Sequence, residues 1–283
     1  MSLTIVECPR DAMQGFYHFI PTDQKIRYVQ QLIDTGFDIL DCGSFVSEKA
    51  IPQMADTVQV LEALNLDASL TRLLVIIANT RGAKEAAMHE KVSFLGFPFS
   101  ISEEFQKRNT HQSITEAFTT VKEIQEVCVK HHKQLTAYIS MGFGNPYNEE
   151  WHTDKVLTWV EKLVQEGVST ISLSDTVGVA KDEDIHTLFT VLIKEFPAIT
   201  FGAHFHTRPE AWRHKLEAAY AAGCRRFDGA IKGFGGCPMA NDTLTGNMPT
   251  EHLLAFAAEK GENTGVVPQA FEKAMQMAAG IFI

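Results

Sequence analysis

Short apolar runs alternate with longer amphipathic stretches along the whole chain. Runs beginning near Leu3-Thr4-Ile5-Val6, Phe37-Asp38-Ile39-Leu40, Leu73-Leu74-Val75-Ile76-Ile77 and Val92-Ser93-Phe94-Leu95 predict strands. Further runs near Leu135-Thr136-Ala137-Tyr138-Ile139, Thr170-Ile171-Ser172-Leu173, Ile199-Thr200-Phe201-Gly202-Ala203 and Arg226-Phe227 bring the number to eight. The stretches between them have helical spacing. Thr22 to Thr35 places Ile26, Val29 and Ile33 on one face, with a Thr cap and Asp23 in the first turn. Ala117 to Val129, Lys155 to Gln165, Asp182 to Lys194 and Glu210 to Ala222 read in the same way. Gly36, Gly167 and Gly223 fall where helix C-caps belong, each followed directly by a strand.

Such alternation predicts a parallel sheet covered by helices, because each parallel crossover needs a helix. Eight units in 283 residues predict a closed (β/α)8 TIM barrel, one domain over residues 1–283. A doubly wound open sheet would usually carry a glycine-rich turn after its first strand. Here Glu7-Cys8-Pro9-Arg10-Asp11 follows, polar and charged.

Composition narrows the class. Lys and Arg number 25 against 35 Asp and Glu, a formal net charge of -10, which argues against non-specific nucleic-acid binding. It leaves room for an anionic substrate met by a local cluster of cations. Cys8, Cys42, Cys128, Cys224 and Cys237 are too sparse for a disulfide framework, so reduced thiols and a cytoplasmic protein are expected. The opening residues already read as a strand rather than a signal peptide, and no apolar run reaches the ~20 residues that span a bilayer.

A barrel of this kind does chemistry at the C-terminal ends of its strands. The sharpest signal is on strand seven, where His204 and His206 share a face at strand period. Two imidazoles there suit a divalent metal, with a carboxylate oxygen from Asp11 and an amide oxygen from Asn247 completing a mixed N/O set. The plain alternative is two hydrogen-bonded rim histidines. Arg10, always charged, suits a developing enolate oxygen or, equally, a structural pair with Asp11. Cys237, in Gly233-Phe234-Gly235-Gly236-Cys237-Pro238, stands on a loop whose glycines permit movement over a substrate. Asp41 and Asp175 are candidates for general acid or orienting group, or else for caps and loop anchors. Ser44 and Thr176 are candidate substrate hydrogen-bonding groups, and Gln14, Asn79 and Arg81 candidate supports. Cys8, Cys42 and Cys128 read as structural.

These stretches resemble the 3-hydroxy-3-methylglutaryl-CoA lyase family, within the metal-dependent lyase and Claisen-condensing TIM-barrel superfamily. The resemblance rests on Glu7 to Gln14, Ser44 to Met54, Ser172 to Gly178, His204-Phe205-His206, Gly233 to Pro238 and Thr245 to Glu251, in the family's order. It implies that Asp11, His204, His206 and Asn247 ligate Mg2+ or Mn2+, that Arg10 stabilises the enolate of departing acetyl-CoA, and that Cys237 takes part in proton transfer. It implies positioning roles for Gln14, Asp41 and Asp175, an acyl-CoA substrate cleaved to acetyl-CoA and acetoacetate, a homodimer, and a place in leucine degradation or ketone-body formation. The chain departs from the family in carrying Ala12-Met13-Gln14-Gly15-Phe16 after Arg10-Asp11, Asp41 where Glu is common, and Thr207 after the His pair.

The nearest competing reading is an acyl-CoA and 2-oxo acid condensing enzyme or aldolase with the same metal site. A metal-dependent hydrolase would bring more strand-end histidines, and a non-catalytic scaffold would not gather these groups at one end.

Overall fold

The computed structural model describes residues 2–208, 210–236 and 245–282. Eight parallel strands form the barrel: β1 (Thr4–Glu7), β2 (Ile39–Ser44), β3 (Arg72–Ile76), β4 (Val92–Ser100), β5 (Gln134–Ser140), β6 (Thr170–Asp175), β7 (Thr200–Thr207) and β8 (Arg226–Gly229). Each pairs with the next, β8 pairs with β1, and β6 pairs with β7, so the sheet closes on itself. The (β/α)8 barrel expected from the sequence is the fold. A ninth strand, β9 (Gly246–Asn247), lies antiparallel on β7 and sets Asn247 opposite His206.

The helices follow the apolar periodicity. They are α1 (Pro9–Gln14), α2 (Thr22–Thr35), α3 (Thr57–Ala63), α4 (Thr80–Ala87), α5 (Glu103–Thr110), α6 (Ile114–Lys130), α7 (Thr153–Gln165), α8 (Asp182–Glu195), α9 (Trp212–Ala221), α10 (Thr250–Lys260) and α11 (Pro268–Phe282). Gly36 ends α2 in the left-handed conformation at φ 87°, where a Cβ would clash with its own backbone. Thr22 is not the cap expected of it. Pro21 holds that position, and the Thr22 hydroxyl instead donates to Asp56 at 2.8 Å. β4 runs through Gly96 and Pro98 to Ser100, past the apolar run that announces it.

The core has two compartments. A large cluster between strands and helices includes Leu32, Val75, Phe97, Leu163, Phe189 and Phe256. A smaller one fills the barrel with Val6, Cys8, Ile39, Leu74, Phe94 and Tyr138. Each fully buried aliphatic or aromatic side chain contributes about 1.5–3 kcal/mol. That packing makes the strand ends a rigid platform for the mouth. Among the described residues Cys8, Cys42, Cys128 and Cys224 are buried and free, which fits the structural reading of the first three.

Candidate active site

Three of the expected ligands converge at the barrel mouth. Asp11 comes from α1, which the chain enters directly from β1 with Pro9 in its first turn. His204 and His206 come from β7 and project from the same face. One ligand atom from each of Asp11, His204 and His206 lies within 4.8 Å of the others. This N, N, O donor set is buried at Asp11 and His206 and partly open at His204, mixed in hardness, and compact enough to collapse onto one divalent ion. Asn247 is brought alongside by the β7–β9 ladder, with its amide nitrogen donating 2.8 Å to the Phe234 carbonyl.

Charge at the mouth is finely divided. Burial alone would raise the Asp11 carboxyl, but Arg10, His204, His206 and Asn247 outweigh it and hold it below the usual carboxylate range. Burial and the neighbouring His204 push His206 down to about 4, so its imidazole is neutral with a lone pair to offer. His204 goes the other way: burial opposes its charge, yet a hydrogen bond and the charge of Asp228 raise it. The Arg10 guanidinium is buried too, and Asp41 and Asp11 more than offset that burial.

Arg10 is held from three sides. Its Nε lies 3.1 Å from both oxygens of Asp41, and Nη2 bonds the same carboxylate. Its Nη1 reaches Gln14 Oε1 at 2.7 Å and Asp11 Oδ1 at 3.2 Å. Gln14 closes the ring by donating to Asp11 Oδ1 at 2.7 Å. The other Asp11 oxygen faces His204 Nε2 at 3.8 Å.

Above this cluster opens a cavity of about 310 Å³, lined by Arg10, Asp11, Gln14, Thr176, His204 and His206 with an apolar wall of Val46, Ile51, Pro98 and Phe105. Thr176 lines it while its hydroxyl accepts from the Met141 amide at 2.8 Å. Ser44 and Asp175 lie elsewhere. The Ser44 hydroxyl accepts from the Val46 amide at 3.2 Å. Asp175 accepts from the amides of Val179 and Ala180 at 2.9 and 3.0 Å and from Lys215 Nζ at 2.6 Å. Asn79 caps α4 by accepting from the Gly82 amide, and Arg81 is exposed beside Glu85. Cys237 lies outside the described residues. The approach to it is described: a Cβ on Gly235 would fall 2.4 Å from the Asp11 carbonyl, so the loop begins in close contact with the site.

Sequence reading missed Tyr138, Ser140, Arg108 and His111, which also line the cavity. Arg108 and His111 follow β4, whose true end was hidden beyond Pro98. It also missed Asp228, 3.2 Å from His204 Nδ1. The signal was present, since Arg226 and Asp228 alternate on one strand face as the two histidines do.

Fold and site together define a (β/α)8 barrel enzyme with a candidate divalent-metal site beside a carboxylate-clamped arginine. The model of the HMGL-like family matches residues 4–278, and the chain belongs to that family. It is 30% identical over 261 residues to hydroxymethylglutaryl-CoA lyase of Bacillus subtilis, covering 91% of this chain and 85% of that protein. It is 32% identical over 261 residues to the mitochondrial hydroxymethylglutaryl-CoA lyase of Mus musculus, covering 91% and 78%. The structure superposes with a TM-score of 0.90 on an HMG-CoA lyase from Acinetobacter baumannii in complex with coenzyme A and 3-methylmalate, at 29% identity over 99% of this chain and 91% of the other. Among the described residues no helix is long and apolar enough to cross a membrane.

Proposed function

We propose that the chain cleaves 3-hydroxy-3-methylglutaryl-CoA to acetyl-CoA and acetoacetate. The observation that carries this reading is the convergence of Asp11, His204 and His206 within 4.8 Å, next to an arginine clamped by Asp41. Asp11, His204, His206 and Asn247 would hold Mg2+ or Mn2+. When bound, the ion supplies Lewis acidity toward the substrate's hydroxyl and carbonyl oxygens.

The protein's own groups have the following parts. The tertiary hydroxyl gives up its proton, the bond between C2 and C3 breaks, and C3 becomes the ketone of acetoacetate. The electron pair of the broken bond passes into the enolate of acetyl-CoA. Arg10 presents a guanidinium to that enolate oxygen, and its permanent charge means it cannot lose its proton to the base. Gln14 and Asp41 hold the guanidinium in place. The proton lost by the hydroxyl is balanced by one returned to the enolate carbon, giving the methyl of acetyl-CoA, and Cys237, in the segment that follows Gly235, takes part in that transfer. Thr176, on the cavity wall, orients substrate oxygens. Asp175 and Ser44 support that wall through the loops they bind. The apolar wall of Val46, Ile51, Pro98 and Phe105 excludes water from the enolate.

A single catalytic domain, a homodimer, a cytoplasmic location and a part in leucine degradation complete the reading. Support for the compartment is the set of free, buried thiols.

The test is direct. Purified protein is incubated with 3-hydroxy-3-methylglutaryl-CoA with and without Mg2+ or Mn2+, and both products are measured. Metal-dependent formation of equal amounts of acetoacetate and acetyl-CoA is expected. No products from protein with metal bound would overturn the substrate and turn the search to other hydroxyacyl-CoAs and to 2-oxo acid condensation.

A further inference from the structure

The side of His204 that faces away from the cavity meets charge inside the barrel. Its Nδ1 lies 3.2 Å from Asp228 Oδ2, and Arg226 Nη1 stands 3.5 Å from the other oxygen of that carboxylate. Both residues are 2% exposed. They alternate on β8 and so share its inner face. Room for the guanidinium comes from Gly202 on β7: a Cβ there would fall 2.5 Å from Arg226 Nη1 and 3.2 Å from Ser172 Oγ. Tyr138 completes the group, its ring edge-on to His204 with centroids 5.5 Å apart. Around them pack Val6, Ile39, Leu74 and Phe94, with the Ser172 hydroxyl beside Gly202. Placing an ion pair there costs several kcal/mol per ion before the pairing offsets it. Filling the space does not account for it, since an apolar pair would fill it at lower cost.

Its geometry has a chemical consequence. A carboxylate can only accept, so Asp228 requires the hydrogen on Nδ1 of the neutral imidazole. The lone pair is then left on Nε2, the nitrogen that faces Asp11 at 3.8 Å. Arg226 stands 3.5 Å from the far oxygen of Asp228 and attracts that carboxylate by charge rather than through a hydrogen bond. We propose that Asp228 and Arg226 are positioning residues that fix the tautomer and the ring orientation of His204, and through it the metal affinity of the mouth. The chain from guanidinium to carboxylate to imidazole runs out of the barrel interior toward the cavity. The inference rests on the reading of His204 as a metal ligand.

The first experiment needs no metal. Long-range 1H–15N spectra of 15N-histidine-labelled, metal-free protein at alkaline pH, assigned with His204→Ala, are expected to show His204 as the Nδ1–H tautomer. In Asp228→Asn the side-chain amide can donate to Nδ1, and the Nε2–H tautomer is expected. Calorimetric titration with Mn2+ is then expected to show a loss of about 10–100-fold in affinity for Asp228→Asn, the range seen when partners of ligating histidines are removed. Arg226→Met, which keeps bulk without charge, is expected to lose affinity in the same direction with circular dichroism unchanged. Wild-type His204 carrying its hydrogen on Nε2 overturns the proposal without need of any variant. Unchanged Mn2+ affinity in folded Asp228→Asn overturns it as well, and unchanged affinity in folded Arg226→Met removes Arg226 from it. Absence of Mn2+ binding by the wild type would overturn the metal reading alone, because the tautomer measured without metal still decides the relay.

Discussion

Arg10 and Asp41 lock together across the first two strand ends, with the guanidinium edge seated on both oxygens of the carboxylate. Asp41 is a methylene shorter than the glutamate common at this place in the family, yet the contact is complete. The clamp removes the rotational freedom that an arginine would otherwise lose only when substrate arrives. Arg10→Lys keeps a charge but loses the planar fork. Its kcat is expected to fall by about 10²–10³-fold, the range for a lost oxyanion donor, with a smaller change in KM. Asp41→Asn, which retains acceptor capacity at one oxygen, is expected to lose less than Asp41→Ala. Steady-state kinetics on the three variants check this, and a KM effect alone would place Arg10 in ground-state binding.

Bound metal stabilises the fold by mass action. At a free ion concentration of 100 times Kd the gain is about 2.7 kcal/mol. Dialysis against a chelator is therefore expected to abolish turnover and lower the Tm, both restored by Mn2+. His206→Ala should show a Tm insensitive to chelator, which differential scanning calorimetry would read.

Glu7 makes stability depend on pH. It is buried beneath the loop and α10, accepting from the Ile231 amide at 3.0 Å and from the Thr250 hydroxyl. Burial raises its pKa from 4.5 to about 8. The folded state therefore holds a proton that the unfolded chain releases above its own, lower pKa. The contribution is full in acid, declines as pH rises from about 4.5 toward about 8, and is gone above that. It is on the order of a few kcal/mol. Glu7→Gln carries the neutral form permanently, so its denaturation midpoint should lie progressively above the wild type's across that window. Parallel urea curves at all pH values would refute the assignment.

Lys215 and Asp175 form an ion pair with both side chains almost wholly buried, 2.6 Å apart. Lys215 also donates to the His206 carbonyl at 3.1 Å, tying α9 to the strand that carries the histidines. Lys215→Met leaves the carboxylate buried and unpaired, a loss of about 3–5 kcal/mol. A Tm drop on the order of 10 °C is expected. The double variant Lys215→Met with Asp175→Asn should recover part of it, since an amide oxygen can still accept from Val179 or Ala180. A double variant no more stable than the single one would assign the loss to the His206 carbonyl instead.

The barrel was legible in the chain because parallel strands buried on both faces read as short, mostly apolar runs, and the α-to-β junctions at Gly36, Gly167 and Gly223 repeat the same punctuation. The ligand cluster was legible for a related reason: His204 and His206 sit two apart on a strand, and that period alone puts them on one face. Residues whose meaning depends on long-range partners were not legible. Lys215 lies on a helix that reads as surface, and nothing nearby in sequence announces Asp175, 40 positions away. Asp228 and Arg226 look like a polar interruption of a weak strand until the barrel closes and His204 comes beside them. Arg108 and His111 stood beyond a proline that obscured how far β4 extends.

The segment carrying Cys237 leaves and rejoins the barrel at one narrow neck. A Cβ on Gly246 would fall 2.7 Å from the Gly233 carbonyl, and one on Gly233 would fall 2.9 Å from the Asn247 carbonyl. Gly246 and Asn247 are anchored there by their ladder to β7, and the Asn247 amide donates across the neck to the Phe234 carbonyl. Three of the four proposed ligands, His204, His206 and Asn247, thus ride on one hydrogen-bonded pair of strands and share a single frame, with Asp11 alone brought from α1.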